Sequence, residues 1–218
     1  LEVRDSIKDI YIEKENKEVI DSIKILGASG TKSKGFGTSA FYLNSKNVLD
    51  AGNLVEPLQE ESAKIEHIWL THSHLDHISD IAFVLDNYYS LRTKTLNIHA
   101  LPQTIKALRE NFFNHDIWPD FSIINLLDGK TKALAYTEVE LEKKYRLSEN
   151  ESIEAFKTDH TVPSCGYIYT KNHNSILITA DTHSLKNIVN LIDSRNNIKS
   201  IIIECSFPSY METLAKNS

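Results

Sequence analysis

Between Thr71 and His77 the chain reads THSHLDH, so that three of its nine histidines and an aspartate fall within six consecutive positions, His72 to His77. Two imidazoles at i and i+2 in an extended segment can face one ion, and Asp76 and His77, in the turn that follows, can point to a neighbouring one. Imidazole and carboxylate suit Zn²⁺ and other borderline divalent ions. Four donors in so short a stretch cannot complete two coordination shells, so further ligands must come from elsewhere. His160, closing AFKTDH, and Asp181, closing LITAD, are the best candidates. Imidazoles massed with a carboxylate beside a strand end have no evident structural purpose without a metal. The isolated His67, His99 and His173 are instead expected to be satisfied core residues.

Donors this far apart in sequence need a framework to bring them together. Short β-rich runs alternate with longer helical patterns, which reads as a layered α/β domain. DSIKILGAS is a predicted strand with Ile23 and Ile25 alternating, and TSAFYLNSKNVLDAG is a pair of strands around a turn at Asn44 to Asn47. HIWLTH, TLNIHA, SIEAFKTDH, GYIYTKN, SILITAD and the very apolar SIIIECS complete the strands. DIAFVLDNYYSLR has helical spacing after the histidine cluster, with Ile81, Val84, Leu85 and Tyr88 on one stripe. LPQTIKALRENFFN is a helix with Pro102 near its first turn, and SLKNIVNLIDSRNN a third helix. The charged stretch from Leu127 to Leu147 follows no clear pattern. His72, His160 and Asp181 each close a predicted strand, and polar residues so placed converge on one rim of a sheet.

The 218 residues suffice for one such domain, and the net charge of −6 offers no broad basic surface for nucleic acid. No run of apolar residues is long enough to span a membrane. Two cysteines, Cys165 and Cys205, imply no disulfide framework. The charged start carries no signal-peptide core and no initiator Met, which leaves the compartment open between cytoplasm and periplasm or secretion.

The His-x-His-x-Asp-His pattern of His72, His74, Asp76 and His77 resembles the signature of the metallo-β-lactamase superfamily. Asp50, in LDAG, matches that family's upstream strand-end aspartate, and His160 and Asp181 follow in order. The blocks THSHLDHISDIAFVLDN, FNHDIWPDF, KTDHTVPSCGYIY, ADTH and IIIECSFPS narrow the resemblance to the class II cyclic-nucleotide phosphodiesterases. The resemblance implies a single α/β domain across residues 1–218, a four-layer αββα sandwich with a two-metal site at one edge of its sheets. It implies that His72, His74 and His160 hold one Zn²⁺, that Asp76 and His77 hold the second, and that Asp181 bridges both. It further implies hydrolysis of a 3′,5′-cyclic nucleotide, cyclic AMP or cyclic GMP, to the 5′-nucleotide. Water shared by two such ions ionises near pH 7 and would attack phosphorus in line, with Asp76 orienting it.

The family's seventh ligand, a histidine shortly after the ECS strand, does not occur before Ser218, so the domain is expected to continue beyond that residue; His183 is a sterically awkward substitute. For the substrate, His115 and Trp118 in NHDIWPDF are the candidates, as a base-stacking or phosphate-contacting loop stiffened by Pro119 or, equally, as a loop pinned to the core. GASGTKSKGFG lacks the spacing of a phosphate loop and reads as a turn at the site rim. The expected partner is a small nucleotide, with no nucleic acid and no membrane, and the assembly state stays open between monomer and homodimer. Alternatives on the same scaffold are an arylsulfatase, a tRNA 3′-processing nuclease or a thioester hydrolase. From a different class come a redox or a non-catalytic metal-binding protein, which metal content would separate.

Overall fold

The computed structural model describes residues 23–205. Along the chain run β1 (Lys24–Gly27), β2 (Ala40–Asn44), β3 (Asn47–Leu49), the short α1 (Val55–Leu58), β4 (His67–Trp69), α2 (Leu75–Asn87), β5 (Leu96–Ala100) and α3 (Pro102–Asn111). They are followed by β6 (Leu134–Glu138), β7 (Lys144–Arg146), β8 (Glu151–Lys157), β9 (Cys165–Lys171), β10 (Asn174–Ile178), α4 (Lys186–Asp193) and β11 (Ile198–Ile202). Two sheets form, one in the order β1-β2-β3-β4-β5-β6 and the other β11-β10-β9-β8-β7. In the first, β3, β4, β5 and β6 are parallel neighbours. In the second, only β10 and β11 pair in parallel.

The alternation of side chains along each strand assigns the layers. In β2 and β3, Phe41, Leu43 and Leu49 face the second sheet, whereas Ala40 and Val48 face the helices. In β9 and β10, Tyr167, Tyr169, Ile176 and Ile178 point back at the first sheet, and Ile168 and Leu177 pack under Ile188 of α4. On the other flank Ile78, Ile81, Val84 and Leu85 of α2 and Ile105 and Leu108 of α3 cover the first sheet. Three apolar interfaces therefore separate four layers, the αββα sandwich that the family resemblance implies. Among the described residues no helix is long and apolar enough to cross a membrane.

Local chemistry explains several boundaries. Asn44 Oδ1 accepts the backbone N–H groups of Lys46 and Asn47, each at 3.0 Å, and so closes the turn between β2 and β3. Pro102 opens α3, where its missing N–H costs nothing. Three sequence expectations need correction, and one stretch without a clear pattern resolves into strands. His173 is exposed, in a left-handed turn with φ 73° between β9 and β10, rather than in the core. Ile25 points outward at 46% exposure because β1 is an edge strand. The Leu127–Leu147 stretch holds β6 and β7, whose partly exposed edge positions hide the alternation. α2 begins at Leu75, inside the histidine motif instead of after it. His67 and His99 are half-buried as a pair, Nδ1 to Nε2 at 2.9 Å, with His99 stacked on Trp69.

The two sheets are locked together near one end. The buried Tyr167 hydroxyl donates to the Leu70 carbonyl at 3.0 Å, and the Cys165 N–H donates to the Thr71 carbonyl at 3.0 Å. Tyr167→Phe leaves the Leu70 carbonyl short of a partner in a dry interface, so a loss of ~1–2 kcal/mol is expected. Chemical denaturation should show a lower midpoint at unchanged slope.

Candidate metal centre

Each donor sits just beyond a strand. Asp50 follows β3 directly, His72 lies three residues after β4 ends at Trp69, His160 three after β8 ends at Lys157, and Asp181 three after β10 ends at Ile178. This offset lets the chain leave the sheet and turn each side chain over the rim. Asp76 and His77 arrive differently, on the first turn of α2. Asp50, beneath the cluster, and Ala180, beside Asp181, hold left-handed backbone at φ 55° and φ 54°. Such conformations cost an L-residue ~1–2 kcal/mol, so the surrounding contacts must hold them in place.

The buried Asp50 carboxylate organises the motif from below. Its Oδ1 accepts the Thr71 N–H at 2.9 Å, and its Oδ2 accepts His77 Nδ1–H at 2.7 Å and the Ser39 hydroxyl at 3.4 Å. The Thr71 hydroxyl, 3.0 Å from Asp50 Oδ2, donates to it and in turn accepts from His72 Nδ1–H at 3.0 Å. Both rings are thereby fixed with Nε2 facing the cluster. Gly52 is required here, because a Cβ would lie 1.8 Å from the Asp76 carbonyl oxygen and 2.4 Å from Thr38 Oγ1. Asp80, one turn further along α2, accepts the Leu54 and Val55 N–H groups at 2.7 and 2.8 Å and pairs with Lys32 at 2.9 Å. It pins the start of α1 and the glycine-rich loop to the helix that carries His77.

The donors meet. His160 Nε2 lies 3.2 Å from His74 Nδ1 and 3.7 Å from Asp181 Oδ2, and His72 Nε2 lies 3.9 Å from that oxygen. His77 Nε2 is 3.4 Å from Asp181 Oδ1 and 3.5 Å from Asp76 Oδ2. His72 Nε2, His77 Nε2 and Asp181 Oδ1 are buried without a hydrogen-bond partner among the described residues. Orphaned nitrogens and a carboxylate oxygen within a cluster of donors suit cations. Ligands at ~2.1 Å from a tetrahedral ion are roughly 3.4 Å apart, which the observed spacings approach. Two donor groups emerge, His72 with His74, His160 and Asp181, and His77 with Asp181 and Glu204, each with its donor atoms within 4.8 Å of one another.

Glu204 is the residue that sequence reasoning missed. It lies two residues past β11, the same kind of position as the other donors, and the acidic residue closing SIIIE was the available signal. Asp80 and Thr71, neighbours of the motif, were missed as well. His183 belongs to neither donor group, although its ring lies 5.5 Å from that of His160. His115 is exposed in a left-handed turn at φ 68° and gives its N–H to the Trp118 carbonyl. Trp118 packs edge-on against Phe83 of α2 at 5.6 Å. Neither makes a hydrogen bond or ring contact with the donor cluster among the described residues.

Charge at the site follows from these contacts. Burial, reinforced by the neighbouring His77, pushes His72 down to about 2, and burial lowers His160. Burial opposes a charge on His77 too, but the Asp50 and Asp181 carboxylates outweigh it and raise His77 to about 11. Asp181, despite burial, is held well below the usual carboxylate range by His77 and by hydrogen bonding with Glu204.

Comparison with known proteins adds the lineage. Residues 3–214 match the family described as class-II cAMP phosphodiesterases. Over 92 residues the chain is 33% identical to 3′,5′-cyclic-nucleotide phosphodiesterase 1 of Saccharomyces cerevisiae, covering 42% of this chain and 25% of the yeast enzyme. Over 105 residues it is 30% identical to the nuclear ribonuclease Z of Triticum aestivum, covering 47% of this chain and 53% of that protein. The chain thus spans about half or less of the length of these curated relatives. Among solved structures, unliganded yeast PDE1 superposes with a TM-score of 0.69 at 19% identity, over 88% of this chain and 77% of that one. The metallo-β-lactamase fold protein YhfI of Bacillus subtilis gives a TM-score of 0.60 at 17% identity, over 78% and 66% of the two chains. These likenesses establish the metallo-β-lactamase fold.

Because His77 is raised to about 11, it carries a proton at pH 8 that a cation at Nε2 must displace. Zinc uptake is expected to release that proton and to strengthen about tenfold per pH unit below it. Calorimetric titration in buffers of differing ionisation enthalpy measures the release, and a proton count of zero would contradict the assigned state of His77.

Proposed function

Because the chain belongs to the class-II cAMP phosphodiesterases, we propose that it hydrolyses a 3′,5′-cyclic nucleotide to the 5′-nucleotide at the cluster of His72, His74, Asp76, His77, His160 and Asp181. The observation that carries this reading is the membership of Asp181 in both donor groups. A carboxylate shared in this way would hold two ions close enough to clamp a phosphoryl group. The imidazole-rich donor set favours zinc. When bound, a pair of such ions activates water for in-line attack and neutralises charge growing on the phosphoryl oxygens.

The side chains then have distinct tasks. His72, His74 and His160 present three ring nitrogens to one position, with His72 held in the correct tautomer by Thr71 and Asp50. His77, oriented by Asp50, and Asp76, whose Oδ2 is 3.5 Å away, define the second position. Asp76 also accepts a hydrogen bond from the attacking water and so aligns it. A P–O bond forms to that water, the P–O3′ bond breaks, and O3′ leaves with a proton. For the nucleoside, the reading extends to the turn between α3 and β6. There Trp118 braces the segment against Phe83 and His115 is exposed to reach a ligand.

The test is hydrolysis of cyclic AMP and cyclic GMP by the zinc-loaded chain, with the 5′-nucleotide followed directly. Asp181→Ala is expected to lower turnover by more than ~100-fold, since even partners outside the ligand shell of a metal cost about 10–100-fold. A protein holding two zinc ions that leaves both cyclic nucleotides intact would refute the proposal. Cleavage of RNA 3′ ends instead would align it with the ribonuclease relative.

A further inference from the structure

The outer face of the second sheet has two halves of different character. α4 packs through Ile188 over Phe156, Ile168 and Leu177, the half nearer the metal centre. On the far half, Ile153, Tyr169 and Ile176 turn inward, so their neighbours Ser152, Thr170 and Ser175 point outward. The register aligns one row across four strands, with Arg146 opposite Ser152, Ser152 opposite Thr170 and Thr170 opposite Ser175. A cavity of about 580 Å³ opens over this row, and every residue lining it is polar. Its size falls within the roughly 300–1,000 Å³ of small-molecule sites. β8 runs from Glu151 at the cavity to Lys157 near His160, which separates the two places by about 20 Å.

The walls of the cavity are held in place by its own side chains. Asn150 Nδ2 donates to Asn172 Oδ1 at 2.7 Å, which ties the start of β8 to the turn between β9 and β10. Arg146 Nε–H donates to the Ser148 carbonyl at 2.9 Å, and Asn197 Nδ2 donates to Ser175 Oγ at 2.8 Å. Ser175 is fully buried, so its own proton goes to Thr170 Oγ1, 2.8 Å away, and the Thr170 proton is left to donate into the cavity. Ser152, Lys144 and the terminal guanidinium nitrogens of Arg146 have no hydrogen-bond partner among the described residues. Nearby carboxylates do not claim them. Glu154, opposite Lys144, is paired with Arg195, and Glu151 is taken up by Tyr169, Asn44, Ser148 and Lys171.

We propose that this cavity binds a phosphorylated sugar, at a site separate from the metal centre. Arg146 and Lys144 take the phosphate, for which a guanidinium fork and an ammonium are matching donors. Ser152 and Thr170 follow in the row at strand spacings of ~4.8 Å and meet the hydroxyl-bearing part of the ligand. Glu149, also in the lining, offers an acceptor for sugar hydroxyl protons. The wholly polar lining gives a lipid tail nothing to pack against.

Equilibrium dialysis of the full zinc-loaded chain against radiolabelled glucose 6-phosphate, ribose 5-phosphate and glycerol 3-phosphate tests this. At least one is expected to bind at one equivalent. Asp181→Ala, which disables only the metal centre, should leave that binding unchanged, and in this variant inorganic phosphate should bind at least ~10-fold more weakly. Arg146→Ala, at an exposed position on an edge strand, should weaken the sugar phosphate at least ~10-fold, as expected for loss of a hydrogen bond to a charged group. Thr170→Val, close to isosteric, should weaken it by a smaller factor, and it serves as the readout if the arginine variant does not fold. Binding that survives Arg146→Ala and Thr170→Val but disappears in Asp181→Ala would assign the ligand to the metal centre and overturn the proposal. Equal affinity for inorganic phosphate would overturn the choice of a sugar phosphate, and no binding of any of the three probes would overturn the site.

Discussion

A single buried carboxylate holds the site together. Asp50 is 1% exposed, and an ion taken that far from water is tolerated only when its oxygens are fully engaged by donors. Here Thr71 contributes a backbone N–H and a hydroxyl, His77 a ring N–H and Ser39 a hydroxyl. These groups come from the end of β4, the first turn of α2 and the approach to β2, so the same bonds that solvate the charge also define the relative positions of three segments. The left-handed backbone of Asp50 aims the carboxylate inward, and Gly52 then lets the Asp76 carbonyl pass within what would be clashing distance of a side chain. What reaches the cluster is a pair of ring nitrogens whose direction and tautomer are already decided before any ligand arrives.

The sandwich supplies the other half of the site. His72, His74, Asp76 and His77 hang from the first sheet and α2, and His160, Asp181 and Glu204 from the second sheet, so neither sheet alone can assemble either donor group. The relative placement of the sheets is therefore a functional quantity. Tyr167 and Cys165 fix it by bonding to Leu70 and Thr71, the two residues immediately before His72. Below them Trp69, Leu49, Phe41, Ile176 and Ile178 form the apolar interface. Because interiors are close-packed, a shift at this interface would move His160 and Asp181 relative to His72 as a body.

Much of this was legible in the sequence because it is written in local signals. The donor types and their spacing, the aspartate and glycine of LDAG, the alternation in β2, β9 and β10, and Pro102 at the head of α3 each carry their meaning within a few residues. What was hidden depends on neighbours far along the chain. The histidine motif masks the start of α2, because its own residues are polar and break the apolar stripe that begins at Ile78. β6 and β7 have exposed faces, so their composition resembles a loop. The apolar run of β11 suggests a buried strand, yet Ile201 and Ile203 are 39% and 49% exposed because the strand lies at the sheet edge. Glu204 was overlooked for the same reason: only the parallel register with β10 reveals that it shares a rim with Asp181.

The balance of charge determines what this rim can accept. Asp50, Asp76, Asp181 and Glu204 gather around imidazoles of which His72 is held neutral by burial, on a chain whose net charge is already −6. A phosphodiester is itself an anion, and such a rim would repel it. The charge on the protonated His77 is countered by Asp50 on one side and Asp181 on the other. Divalent ions at the two donor groups would reverse the sign of the local field, since a bound cation is the largest charge in a site of this size. On the two-ion reading, metal uptake is thus a condition for the substrate to approach as well as for the chemistry. Such uptake would also displace the His77 proton, and a stronger positive charge would then balance the Asp50 carboxylate.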